Sequence, residues 1–309
     1  MSLQGRGALR ALLGALSLLA GVVVLAFFLF RVIPGDAARA QLGPTASEES
    51  VRALRHDLGL GRPVWEQFTS LIGGLVRGDM GVSSFNRQPV APQILPRFSI
   101  TATIGLQAGL IALVVSYGLN LLAWLRPAAG RCVLPLVRAG VLLPVFFTTV
   151  FAAVLLGIFF PSLSLSAGSA ESGPFTQIVP SLLASLYPVA VMTTVLREKV
   201  LTASNSSWTR AARATGMAPL AVFHRALLGP SLVSWLAVWV NQISLVFFSA
   251  MVLEVILSIP GTGDLLLTAV QRRDYPVLQG LLIVNAVFFA ALAAAGDIFY
   301  QQFDPRVRS

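Results

Sequence analysis

The chain has 309 residues, of which 56% are hydrophobic and only 11% charged, with 22 lysines and arginines against 13 acidic residues. Soluble domains carry about 25% charged residues, so a soluble fold of this length cannot hide that much apolar surface, and the membrane class follows. A single cysteine, Cys132, excludes an internal disulfide and any cysteine-based metal cluster.

Six charge-free runs occupy residues 11–30, 98–125, 139–170, 172–196, 226–253 and 275–296. A hydrocarbon core of roughly 30 Å needs about 20 helical residues, and each run reaches that length. The reading is an all-α membrane protein with six transmembrane helices. A cytoplasmic tail, 1–10, precedes the first span, 11–32. Arg6, Arg10 and the apolar stretch resemble a secretory signal ending near Ala38-Arg39-Ala40, but 20 apolar residues exceed a signal's core and Arg31, Pro34 and Asp36 intervene. The first span is therefore read as uncleaved.

Residues 33–98 form the largest polar segment, outside the membrane. Ser47 is a suitable N-cap, with Glu48 and Glu49 in the first turn, where carboxylates suit the helix dipole. Val51, Leu54 and Leu58 share a face before Gly59. A second helix starts at Pro63 and places Trp65, Phe68, Leu71, Ile72, Leu75 and Val76 on one side. Those faces pack on the span ends, lie at the lipid surface, or form a platform for an external protein.

Four of the remaining spans are read at 99–125, 137–160, 177–196 and 231–253, with a sixth at 276–299 before a cytoplasmic tail, 300–309. An inner loop, 197–230, and an outer, re-entrant segment, 254–275, flank the fifth span. With the N-terminus inside, the inner segments collect twelve basic residues, whereas the two short outer loops hold only Arg272 and Arg273, offset by Asp264 and Asp274. By the positive-inside rule both termini are cytoplasmic. The net charge of +9 then reflects topology and anionic lipid, without a nucleic-acid partner.

Within the inner loop, WTRAARATGMAPLAVFHRALLGP at 208–230 interrupts the apolar pattern. Ser206 or Ser207 caps a short helix from Trp208. Ala211, Ala212 and Thr215 make a flat face of small side chains, and Arg210 and Arg213 share another. Gly216 ends the helix in the left-handed conformation, Pro219 opens the next, and Gly229-Pro230 closes the unit before the fifth span. The pattern alone fits a helix–turn–helix projecting from the membrane or an interfacial loop.

Chemistry within the chain is narrowly limited. The only histidines, His56 and His224, fall on opposite sides of the bilayer, so neither a Ser–His nucleophile in the membrane nor a histidine metal cluster forms. A P-loop requires Gly-Lys-Ser/Thr, but the only lysine, Lys199, precedes Val200. No catalytic residue, metal ligand or cofactor-binding residue is assigned. Polar groups near membrane depth are Asn241, Gln242 and Glu254, which either line or gate a pathway or join helices; the residues leave both open.

Several motifs then converge. They are RVIPGD at 31–36, LGLGRPVWEQF at 58–68, GDMGVS at 78–83, ARATG at 212–216, VLEVILSIPGTGDLLLTAVQRRDYPVLQG at 252–280 and DPRVR at 304–308. In this order they resemble the dipeptide/oligopeptide branch of ABC transporter permeases over residues 8–308. Ala211, Ala212 and Gly216 match the alanines and glycine of that family's "EAA" loop, and Arg210 stands in place of its glutamate. The family's acidic residue is missing around Pro127–Cys132, and Pro92-Gln93 replaces a frequent glutamate. The resemblance implies a type I ABC importer permease fold in the bacterial inner membrane, paired with a second homologous permease. It also implies two cytoplasmic ATPase subunits, or one fused ATPase, that bind ATP and Mg, and an extracytoplasmic substrate-binding protein. Arg210, Ala211, Ala212, Arg213, Gly216 and Pro219 would form the ATPase-coupling helix. The implied cargo is a di- or oligopeptide, with haem, glutathione and nickel as alternatives. A stand-alone channel or intramembrane enzyme is the reading of a different class.

Overall fold

The computed structural model describes residues 3–32, 39, 46–57, 61–142, 145–159 and 177–303. RVIPGD beyond Val32, Gly59, residues 160–176 from the end of the third predicted span and DPRVR lie outside what is described. Among the described residues the architecture is helical, apart from one isolated antiparallel bridge between Val82 and Pro89. In chain order the helices are α1 (Leu3–Val32), α2 (Glu48–Asp57), α3 (Val64–Val76), α4 (Val90–Leu125), α5 (Pro127–Ala139) and α6 (Val145–Phe159). They continue as α7 (Ile178–Ser204), α8 (Ser207–Ala214), α9 (Pro219–Val222), α10 (Gly229–Ile256), α11 (Thr262–Gln271) and α12 (Tyr275–Phe303).

Five described stretches are long and apolar enough to cross a bilayer: Leu12–Leu29, Val90–Leu125, Ile178–Ser204, Pro219–Ile256 and Tyr275–Gly296. The third predicted span, 137–160, is represented by two pieces. An amphipathic α5 ends at Ala139, a 3-10 turn covers Gly140–Leu142, and α6 has 15 residues. Pro144 stands between them in the sequence, and a proline disfavours helix in the residue before it. At 1.5 Å per residue α6 alone is shorter than the hydrocarbon thickness.

The chain divides into two compact units. The larger is built mainly from 101–259. Its core joins Ala112 of α4, Met192, Leu196 and Val200 of α7, Phe223 and Leu227 of the inner loop, and Trp235 of α10. Small residues let the helices approach: a Cβ on Gly105 would sit 3.3 Å from the Phe247 ring, and one on Gly109 3.5 Å from Ile243. The carbonyl of buried Gly109 accepts the Trp239 Nε1–H at 2.8 Å. Gly130 of α5 crosses the end of α4 so closely that a Cβ would stand 2.8 Å from the Ala123 Cα.

The second unit comprises 5–100 and 260–294. Val90 and Ile94, Leu265 and Ala269, and Val277, Leu278, Leu281 and Val284 form its core. Ser47 caps α2, accepting the Ser50 N–H at 3.2 Å. The predicted one-sided face of α3 divides: Phe68 packs edge-on against Phe27 of α1 at 5.0 Å between centroids, whereas Trp65, Ile72 and Val76 are exposed. Two sequence motifs meet at buried Asp274, which accepts the Ser83 hydroxyl and, at 3.0 Å, the Ser84 N–H. Arg97 pairs with Asp264 at 3.0 Å, both partly exposed.

Candidate functional site

The inner loop folds as an elbow. Ser206 caps α8 by accepting the Thr209 N–H at 3.2 Å, and the buried Thr209 hydroxyl donates to the Ala203 carbonyl at 2.8 Å. This ties the first arm to the end of α7. Gly216 turns the chain at φ 77°, and Met217 N–H closes back on the Ala212 carbonyl at 3.2 Å. Pro219 occupies the first turn of α9, where its missing N–H has no helical partner to lose.

The second arm differs from the expected closed unit. α9 runs through a π-helical segment, Phe223–Leu228, directly into α10, so Gly229-Pro230 does not separate the elbow from the span. In a regular α turn the proline ring would meet the carbonyl four residues back. The wider π turn, with Gly229 N–H bonded to the His224 carbonyl, accommodates the ring and keeps the helix continuous. α7 continues past 197, where the inner loop is expected to begin, carrying Arg197, Glu198 and Lys199 within its helix to Ser204.

The residues singled out from sequence separate by burial. Arg210, Ala211 and Thr215 are exposed, whereas Ala212 is buried against Val222 and Ala226, with Trp124 and Met217 alongside. The small-residue face is therefore half internal: Ala212 welds the two arms, and Ala211 remains outward. Arg213 lies over the Trp124 ring, 4.9 Å from its centroid, and the same indole donates Nε1–H to the Pro219 carbonyl at 2.9 Å. Tyr117 adds a second attachment, its hydroxyl 2.5 Å from His224 Nε2. The Leu220 carbonyl only accepts, so His224 Nδ1, 2.9 Å away, donates to it and fixes the ring that Tyr117 meets. α4 thus grips both arms of the elbow through Tyr117 and Trp124. Neither was singled out from sequence, because aromatic residues near the end of an apolar run read as ordinary interfacial belts.

Asn241, Gln242 and Glu254 do not gather into one site. All three lie on α10, but Gln242 and Glu254 are twelve residues apart, about 18 Å along a helix. Gln242 is buried with its Oε1 lacking a partner among the described residues, Glu254 is fully buried in the last turn, and Asn241 is exposed on the helix surface.

The sequence matches the family described as "Binding-protein-dependent transport system inner membrane component" over residues 110–309 and the corresponding N-terminal family over 6–105. The chain belongs to this family of ABC importer permeases. A putative peptide transport system permease protein of Brucella abortus (strain 2308) is 31% identical over 301 residues, covering 93% of this chain and 94% of that protein. The glutathione transport system permease protein GsiC of Escherichia coli (strain K12) is 28% identical over 303 residues, covering 97% and 98%. As a permease, this chain is a multi-pass inner-membrane transport component of helical type I fold and not an enzyme.

Proposed function

We propose that this permease is one half of the translocation unit of an ATP-driven importer for di- or oligopeptides. A second, homologous permease completes the pathway, an external binding protein delivers cargo, and separate ATPase subunits bind the nucleotide and Mg. This chain supplies no cofactor site. Its two termini and its elbow face the cytoplasm, consistent with the twelve basic residues of the inner segments, and the third apolar run, 139–170, completes six spans.

The attached elbow carries this reading. Its inner face is bound to α7 by Thr209, to α4 by Trp124 and Tyr117, and to α10 by unbroken helix. Its outer face offers Arg210, Ala211, Thr215 and two exposed apolar side chains, Trp208 and Leu220. An exposed tryptophan beside arginine is the composition of an interface anchor. A partner that displaced this face would move three spans together, which is the coupling that alternating access requires. Exposed Asn241 and buried Gln242 would border the pathway or the second permease, since an amide facing lipid tails is unfavourable.

The Brucella relative's name favours peptide cargo and the GsiC name favours glutathione, itself a small peptide. Uptake into vesicles holding the full transporter distinguishes these. Labelled tripeptides should accumulate and compete with one another, and accumulation of glutathione alone would select the second reading.

A further inference from the structure

A cleft of about 440 Å³ lies where the ends of α4 and α7 meet the elbow, within the larger unit. Trp124, Arg197, Leu201, Ser204, Arg213 and Pro219 line it. Arg197 is half-buried, the first residue after the apolar run that ends at Leu196, and Arg213 is held over the Trp124 ring. Arg138 at the end of α5 is within electrostatic reach of Arg197. Among the described residues, no carboxylate lies within ion-pair distance of Arg138, Arg197 or Arg213. Glu198, next in sequence, is exposed. Arg138 and Arg213 are exposed and Arg197 is half-buried, so three like charges stand near the cleft without a carboxylate, and an anion there would relieve their repulsion.

We propose that this cleft binds the phosphate of an acidic phospholipid headgroup from the adjoining leaflet. Guanidinium forks suit phosphate oxygens, and the volume falls within the roughly 300–1,000 Å³ range of ligand sites. The choice of lipid over a soluble anion rests on Leu201, which lines the cleft yet is 44% exposed. One half-buried and one exposed cation beside an exposed aliphatic side chain at the wall fit an amphiphile, with Trp124 at headgroup depth. A lipid seated there would brace α4, α7 and the elbow, whatever the cargo.

The test uses the full chain purified with its partners, mixed with phosphatidylglycerol or phosphatidylcholine and read by native mass spectrometry. Phosphatidylglycerol should be retained at least tenfold better. With about 1 kcal/mol per arginine near a lipid surface, R197Q/R213Q should bind it about thirtyfold more weakly. R272Q, altering an exposed arginine stacked on Phe85 in the other unit, should not change retention. S204W, which fills the cleft and keeps both cations, should also expel the lipid, so a poorly folded double variant does not rescue the idea. Four results would overturn it: equal retention of phosphatidylcholine, unchanged binding in both cleft variants, displacement by millimolar inorganic phosphate, or exclusion of the lipid when the ATPase subunit occupies the cleft.

Discussion

At Gly216 the backbone has φ 77°, a conformation that costs a β-branched residue about 1–2 kcal/mol. Gly216→Val should insert in the membrane at normal levels and abolish uptake, whereas Gly216→Asn, which tolerates this region, should retain most of it. Uptake normalised to membrane-inserted protein checks both. Trp124 supports a finer prediction, because Trp124→Phe keeps the ring beneath Arg213 and removes only the donor to Pro219. One neutral hydrogen bond contributes about 1 kcal/mol net, so thermal unfolding in detergent should shift by that amount. The glycine turn, a serine cap at 206 or 207 and the Pro219 start were legible, since each rests on local backbone chemistry. The anchoring of both arms to α4 was not, because Trp124 and Pro219 are brought together only by tertiary packing.

Among the elements, burial decides which polar contacts matter. Asp274→Ala would leave the Ser83 hydroxyl and Ser84 N–H buried without their acceptor, at about 1–3 kcal/mol each. Asp264→Asn weakens a partly exposed pair with Arg97 and should cost below about 1 kcal/mol. Comparing the two melting shifts checks this order. The elbow has its own test: Ala211→Cys should react with a soluble maleimide and crosslink to the ATPase, while Ala212→Cys should be protected. Hydropathy could not separate these adjacent alanines, because burial at the elbow depends on how its two arms fold together. Nor could it foresee that α9 continues through a π turn into α10, since Gly-Pro locally favours a stop.

For the whole molecule, composition and charge-free runs were enough to establish a helical membrane protein, because the bilayer permits few alternatives. The 32-residue run at 139–170 was less legible: length alone does not show where a helix breaks, and its described part holds a 3-10 turn and a 15-residue helix. Under the proposed function, a separate nucleotide-hydrolysing subunit acting on the elbow moves this permease. Peptide accumulation should therefore be measured in vesicles containing this permease, the proposed second permease and the binding protein, with ATP, and with or without the ATPase. Accumulation should occur only with the ATPase and be lost in Gly216→Val; concentration of peptide in its absence would contradict the account.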